Sequence, residues 1–122
     1  MPNATLLECF ESPAATAFII EHIHEEFTSM CPKTGHPDFG RITVRFEPAQ
    51  KCIELKSLKL YLHSFRNEGM FFEALTNRIR DDLVAAMAPR WLQVVAEFRG
   101  RGGIHTRVLT GSGSVPERYQ RG

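Results

Sequence analysis

The sequence has few cysteines, no long apolar run and no excess of charge of either sign. Its three cysteines, at positions 9, 31 and 52, are an odd number without a close pair, which argues against a disulfide framework and against a Cys-x-x-Cys metal site. No apolar stretch approaches the roughly 20 residues that a membrane span needs. With 15 Lys and Arg against 14 Asp and Glu, the chain lacks the basic surplus typical of nucleic-acid binders. These absences predict a cytoplasmic protein with no membrane partner and no direct nucleic-acid partner.

The length of 122 residues suits one domain with one hydrophobic core. The N-terminal segment contains Glu8 and Glu11 and has no basic stretch ahead of an apolar one, so we expect no secretory signal. We therefore predict a single domain over residues 1–122. Its last segment, 111–122, is rich in Gly, Ser and Arg and is expected to be a flexible tail.

Alternation of apolar and polar residues predicts four strands. It is partial over residues 18–27, clean over 41–47, and present again over 92–99 and from Ile104 onward. Between the second and third strands, helical spacing predicts one helix from Leu55 and a second that ends at Pro89. The resulting β-β-α-α-β-β order predicts an α+β fold, an antiparallel sheet with two helices on one face. The two free sheet edges favour association into an oligomer, such as a larger closed barrel.

A cysteine lies in the connection between the first two predicted strands. Pro32, Gly35 and Pro37 enforce a loop there, so we expect Cys31 and Asp38 on or beside a loop that two strands anchor, a common place for chemistry. A thiolate is a strong nucleophile, and a carboxyl seven residues on could act as its acid partner if the loop folds back. The alternative for a lone cysteine is a small buried apolar residue.

The segment from Glu54 to Tyr61 reads ELKSLKLY and combines a carboxylate with two lysines three residues apart. On a helix, Lys56 and Lys59 share a face, where they could bind phosphate groups through charge-assisted hydrogen bonds. The alternative is an ordinary solvated helix face. No Gly-x-Gly-x-x-Gly follows a predicted strand, which excludes a Rossmann site.

Together these segments resemble the single-module 7-cyano-7-deazaguanine reductases of the QueF family. The segment 54–61 fits the family signature E-[SL]-K-[SA]-x-K-[LY]-[YFW] at every position, residues 27–39 match its nucleophile loop, and 101–104 match a further segment, so the resemblance covers about residues 5–109. It implies the tunnelling fold (T-fold), in which subunits form pentameric barrels that stack face to face with active sites between subunits. It also implies NADPH-dependent reduction of 7-cyano-7-deazaguanine to 7-aminomethyl-7-deazaguanine, a step of queuosine biosynthesis for tRNA modification.

The resemblance also implies roles for individual residues, including a covalent thioimide between the cysteine and the nitrile carbon. Phe72 stands where relatives often have His, so a contact with the substrate ring and plain core packing both remain open for it. No residue is expected to bind a metal. The residues so implied are Cys31 and Asp38 for catalysis, Glu54, Ser57, Phe72 and Glu73 for the substrate, and Lys56, Lys59 and Arg101 for NADPH.

Three other functions remain open. A sister family that transfers an amidine onto archaeal tRNA shares the Cys and Asp loop but lacks the lysine-bearing signature. A cyclohydrolase of the same fold needs zinc held by Cys and His, and this chain offers no convincing ligand set. A non-catalytic oligomer that binds a purine or pterin would retain ligand affinity without forming a covalent adduct.

Overall fold

A computed structural model of the chain describes residues 2–122, except the side chain of Arg101. Two short 3-10 helices, Ala4–Leu6 and Glu117–Tyr119, lie near the ends. The other elements, in chain order, are β1 (Cys9–Glu11), β2 (Ile20–Met30), β3 (Pro37–Glu47), β4 (Lys51–Ile53), α1 (Leu55–His63), α2 (Phe72–Met87), β5 (Trp91–Arg101) and β6 (Ile104–Gly113).

The four long strands form one antiparallel sheet in the order β2-β3-β5-β6, and β1 pairs with β4 in a separate two-stranded ribbon. The predicted α+β class and β-β-α-α-β-β order are therefore confirmed, with the small ribbon as an addition. Within the described residues, β2 and β6 are the edges of the four-stranded sheet, and each has a neighbouring strand on one side only. No described helix has the length and apolar character that a membrane crossing requires.

A cluster of buried apolar residues lies between the helices and one face of the sheet. The alternation in β3 explains the sheet side of this core, because Ile42, Val44 and Phe46 point to the same face. Each fully buried side chain of this size contributes about 1.5–3 kcal/mol through the hydrophobic effect. The helices contribute Leu58, Tyr61 and Leu62 from α1, and Leu75, Ile79, Leu83 and Met87 from α2.

The strands around the predicted nucleophile loop are longer than the alternation indicated. β2 continues to Met30 and β3 begins at Pro37, and these two residues are partners across the strands. The loop therefore spans only residues 31–36, and Asp38 lies inside a strand. β6 also continues to Gly113, three residues into the segment 111–122, because cross-strand pairing with β5 extends the strand.

The C-terminal segment crosses the sheet face opposite the helices. Tyr119 stacks on Trp91 with ring centroids 5.7 Å apart, and the Arg45 guanidinium lies 5.2 Å from the centroid of the Tyr119 ring. The side-chain amide of Gln93 donates a hydrogen bond to the Tyr119 carbonyl. The composition of residues 111–122 does not predict these long-range contacts. The flexibility of this segment stays a prediction.

Candidate active site

Cys31 lies at the tip of the β2–β3 hairpin, directly after the last residue of β2. Its N–H donates to the His36 carbonyl at 2.9 Å, and its own carbonyl accepts from the Gly35 N–H at 2.8 Å. Gly35 has a φ of 72°, a conformation that favours glycine. The predicted loop is thus confirmed, and it leaves the Cys31 thiol partly exposed.

The loop also sets the electrostatics of the thiol. The Thr34 side chain, followed by the backbone groups of Thr34 and Lys33, forms hydrogen bonds that lower the pKa of Cys31, while slight burial and the nearby Asp38 carboxylate oppose the shift. In contrast, burial raises the pKa of Cys9. Cys31 is therefore the better nucleophile of these two, because the thiolate is the reactive form.

Asp38 is buried, with 6% of its surface exposed, and lies directly across the β2–β3 ladder from Ser29. Its charge acts on the Cys31 thiol, so the structure brings the two predicted catalytic residues together. The hairpin brings these two residues together although they are seven positions apart in the sequence, because the strand pairing continues to Met30 and Pro37, one pair beyond Ser29 and Asp38. The catalytic roles themselves stay predictions at this point.

The connection between α1 and α2 packs against the same end of the sheet. The Met30 N–H donates to the Glu68 carbonyl at 3.1 Å, and Met30 forms a bridge with Gly69. A Cβ on Gly69 would lie 3.4 Å from the Pro32 Cα, which keeps this approach tight. Since α2 begins three residues after Gly69, its first turn, with the exposed Glu73, starts close to the nucleophile loop.

Phe72 lies flat on Phe98, with ring centroids 3.7 Å apart and an interplanar angle of 3°. Phe98 is the partner of Gly40 across β3 and β5, where a Cβ would lie 2.9 Å from the Phe98 ring. Of the two possibilities for Phe72, packing against the core is the one that these contacts show. A contact between Phe72 and the substrate stays a prediction.

The signature segment forms the start of α1, and several of its polar groups are bonded within the chain. The Glu54 carboxylate caps the helix by accepting from the N–H groups of Lys56 at 2.6 Å and Ser57 at 2.8 Å. The buried Ser57 hydroxyl accepts from the Glu8 N–H at 3.0 Å and donates to the Glu54 carbonyl at 2.7 Å. Glu54 and Ser57 thus have structural contacts that the motif did not reveal, and their substrate contacts stay predictions.

The last signature residue, Tyr61, is part of the core. Its hydroxyl donates to the Asp82 carboxylate at 2.6 Å, and the Arg78 Nε donates to the same oxygen at 2.9 Å. Burial, then the hydrogen bond to Asp82, raises the pKa of Tyr61 well above its usual range. Tyr61 therefore joins α1 to α2 as a neutral hydrogen-bond donor.

The two signature lysines are exposed, and Lys59 borders a pocket with other cationic groups. This open pocket of about 220 Å³ lies between β2 and α1. Arg66 Nη1 is 3.1 Å from His63 Nε2, which holds these two side chains side by side. The residues lining the pocket are His24, Glu26, Thr28, Lys59, His63 and Arg66.

The phosphate-binding candidates and the cysteine occupy different parts of the molecule. Lys59 acts electrostatically on His24, which precedes Cys31 by seven residues, and a strand advances about 3.3 Å per residue. Cys31 therefore lies roughly 20 Å along the strand from His24, whose pKa Lys59 affects. The side chain of Arg101, the third predicted NADPH ligand, lies outside the described residues.

The sequence did not single out Ser29, Thr34 or Arg66 as site residues. Ser29 and Thr34 lie within the matched loop, but hydroxyl residues are common in loops, and Arg66 follows the signature by five residues. Their importance depends on tertiary neighbours rather than on spacing. Among the described residues, no group of three or more Cys, His, Asp or Glu could hold a metal ion.

A pocket of about 630 Å³ lies elsewhere. It is lined by residues 9–15 and 49–51, beside the β1–β4 ribbon. It is an open groove that contains none of the predicted site residues. Chemistry, rather than pocket size, therefore locates the candidate site at the Cys31 hairpin.

Comparison with known proteins agrees with this geometry. The family described as QueF-like protein matches residues 37–117. A crystal structure of the archaeosine synthase QueF-Like in the apo form has a TM-score of 0.74, with 21% identity over 80% of this chain and 96% of that one. At this identity the likeness shows the fold alone, and the predicted T-fold is confirmed.

Several relatives named NADPH-dependent 7-cyano-7-deazaguanine reductase are much more similar in sequence. The protein from Anaeromyxobacter sp. (strain K) is 65% identical over 91 residues, which are 75% of each chain. The protein from Nitrosomonas europaea is 57% identical over 84% of this chain and 75% of its own length. The protein from Rhodopirellula baltica is 53% identical over 84% of this chain and 86% of its own length. From the family match and these identities together, the chain belongs to the QueF-like family.

Proposed function

We propose that this protein is an NADPH-dependent 7-cyano-7-deazaguanine reductase, an oxidoreductase of queuosine biosynthesis that converts the nitrile to an aminomethyl group. The observation that carries the proposal is the identity of 53–65% to relatives with this name. The paired Cys31 and Asp38 and the exposed signature lysines support it. We further propose a cytoplasmic location and no direct contact with nucleic acid.

The first chemical step uses the hairpin tip. The Cys31 thiolate adds to the nitrile carbon, and Asp38 in its acid form gives its proton to the nitrile nitrogen. The product is a thioimide with an N–H group, and the charge of the thiolate ends on the Asp38 carboxylate. The hydrogen bonds that lower the pKa of Cys31 support this step, because they populate the thiolate.

The substrate ring needs a carboxylate that its guanine-type N–H edge can reach. Glu73 is exposed in the first turn of α2 and can accept two such bonds, which would select against analogues without these donors. Both oxygens of Glu54 already accept backbone N–H groups, although each retains a second lone pair. Glu73 is therefore the stronger ring ligand of the two.

The donors around the pocket between β2 and α1 fit a phosphorylated cofactor. Lys59 and Arg66 supply cationic N–H groups to it, and His63 lies beside Arg66, a set that suits phosphate recognition. Lys59, with Lys56 and Arg101, would hold NADPH, which supplies the hydride equivalents for the reduction when bound. Glu26 on the opposite wall repels phosphate and orients the anion toward α1.

We also propose a homo-oligomer with active sites between subunits, in the predicted form of stacked pentamers. The free edges of β2 and β6 could pair with those of other copies and so close a barrel. Such pairing would bring new side chains toward the partly exposed Cys31. Native mass spectrometry would measure the number of copies, and a monomer at micromolar concentration would contradict this part of the proposal.

The decisive experiment is intact-protein mass spectrometry after mixing with 7-cyano-7-deazaguanine without NADPH. The expected result is one adduct of the ligand mass on the unmodified protein and on Cys9→Ala, and none on Cys31→Ala. NADPH added next should be oxidised, whereas an amidine transferase would leave it unchanged. A protein that binds the ligand but gains no mass would support the non-catalytic alternative instead.

A further inference from the structure

Ser29 carries the one buried side-chain polar atom that has no hydrogen-bond partner among the described residues. None of its surface is exposed. An unpaired buried hydroxyl costs about 1–3 kcal/mol, and native chains contain few such groups. This cost would be offset if the hydroxyl gained a hydrogen-bond partner in another state of the protein.

The position of this hydroxyl suggests that state. Ser29 is the direct partner of Asp38 across β2 and β3, and it precedes Cys31 by two residues. Directly opposite residues of antiparallel strands point to the same face, with Cβ atoms about 4.5–5.5 Å apart. The Ser29 hydroxyl therefore lies beside the Asp38 carboxyl without being bonded to it.

We propose that Ser29 is a positioning residue for Asp38, whose hydroxyl donates a hydrogen bond to the carboxylate as it ionises. The inference rests on the proposed function, in which the Cys31 sulfur bonds to the nitrile carbon. One carbon–nitrogen π bond breaks in that step, and its electron pair takes the proton of Asp38. The Ser29 hydroxyl keeps its own proton throughout.

The energetic argument depends on when the bond forms. A hydrogen bond to an ionised acceptor is roughly twice as strong as one between neutral groups. Because the bond is absent in the described structure and forms as the protonated Asp38 of the reacting complex loses its proton, it stabilises the transition state more than the ground state. Rotation about χ1 of Ser29, between staggered positions, is sufficient to make it.

A structural role and a positioning role for Ser29 predict different effects of its replacement on stability. If its hydroxyl stabilised the fold, Ser29→Ala would lower the melting temperature. Since the hydroxyl is unpaired within the described structure, its removal should leave the melting temperature unchanged or raise it. Stability and reaction rate therefore separate the two roles.

The test compares Ser29→Ala, Ser29→Thr and, as a control, Thr43→Val, which removes another buried hydroxyl from β3. The rate of thioimide formation is measured by quenched-flow mass spectrometry without NADPH. Ligand affinity is measured by equilibrium binding in the Cys31→Ala background, and melting temperature by calorimetry.

For Ser29→Ala we expect adduct formation to be about 10- to 100-fold slower, affinity within about twofold and an unchanged or higher melting temperature. Ser29→Thr should regain much of the rate, and Thr43→Val should keep it. An unchanged rate in Ser29→Ala, or a slower rate with a lower melting temperature and no rescue by Thr, would overturn the inference. Absence of an adduct on the unmodified protein would instead refute the proposed function.

Discussion

The start of α1 and the tip of the β2–β3 hairpin differ in how far their polar groups are hydrogen-bonded within the chain. In the signature segment, Glu54, Ser57 and Tyr61 all have hydrogen-bond partners inside the chain. At the hairpin, the Ser29 hydroxyl is buried without a partner among the described residues, and the Cys31 thiol is partly exposed.

This difference separates groups that stabilise the fold from groups that remain available for a reaction. Satisfied polar groups hold elements together, as Tyr61 does between α1 and α2. Groups that remain available can bond to a ligand or to a charge that appears during a reaction. Of the signature, Lys56 and Lys59 are exposed, so their ammonium groups remain available to a ligand. The following predictions probe both sides of this difference.

Asp38→Asn should have the largest effect, since it keeps the shape of the side chain but removes the acid. We expect thioimide formation to be about 10²–10⁴-fold slower, measured by quenched-flow mass spectrometry. Asp81→Asn, an exposed carboxylate on α2, is the matched control and should react normally. A normal rate in Asp38→Asn would show that Asp38 is not the acid in this step.

Lys59→Ala and Arg66→Ala should each weaken NADPH binding about tenfold, because each removes a charge-assisted donor from the pocket between β2 and α1. Calorimetric titration in the Cys31→Ala background measures the affinity without turnover. Lys51→Ala, an exposed lysine of β4, should bind NADPH normally. If only Lys59→Ala weakens binding, then the role that we assign to Arg66 is wrong.

Tyr61→Phe should lower the free energy of unfolding by about 1–2 kcal/mol, because Asp82 loses one of its donors in a half-buried network. Urea denaturation measures the change, and thioimide formation should be unaffected. A double-mutant cycle with Asp82→Asn isolates the pair. A slower reaction with unchanged stability would show that Tyr61 contributes to the reaction rather than to the stability of the fold.

Glu54→Gln tests whether the helix cap has a second role. As a cap alone, it should cost about 0.5–1 kcal/mol of stability and leave the affinity for 7-cyano-7-deazaguanine unchanged in equilibrium binding. Glu73→Gln is the comparison, with weakened affinity and near-normal stability. Weakened affinity in both variants would assign Glu54 to the substrate as well.

Thr34→Val should have the smallest effect. Hydrogen bonds from Thr34 favour the ionised thiol and lower the pKa of Cys31, so loss of the hydroxyl raises that pKa and moves the iodoacetamide reaction to higher pH. At neutral pH we expect alkylation a few-fold slower, with Thr34→Ser close to normal. An identical pH profile for Thr34→Val would mean that the backbone groups alone set the pKa.

The sequence by itself determined the α+β class and the element order, and it predicted Cys31 and Asp38 on or beside one short loop. Alternation and helical spacing are local properties, and the loop between two strands is short enough for its residues to meet. Only the tertiary structure decided that Ser29 faces Asp38, that Ser57 bonds to Glu8, and that the C-terminal segment crosses the sheet to Trp91. The physical reason is that strand register and long-range packing depend on the whole core, whereas a local pattern encodes only which face of an element is buried.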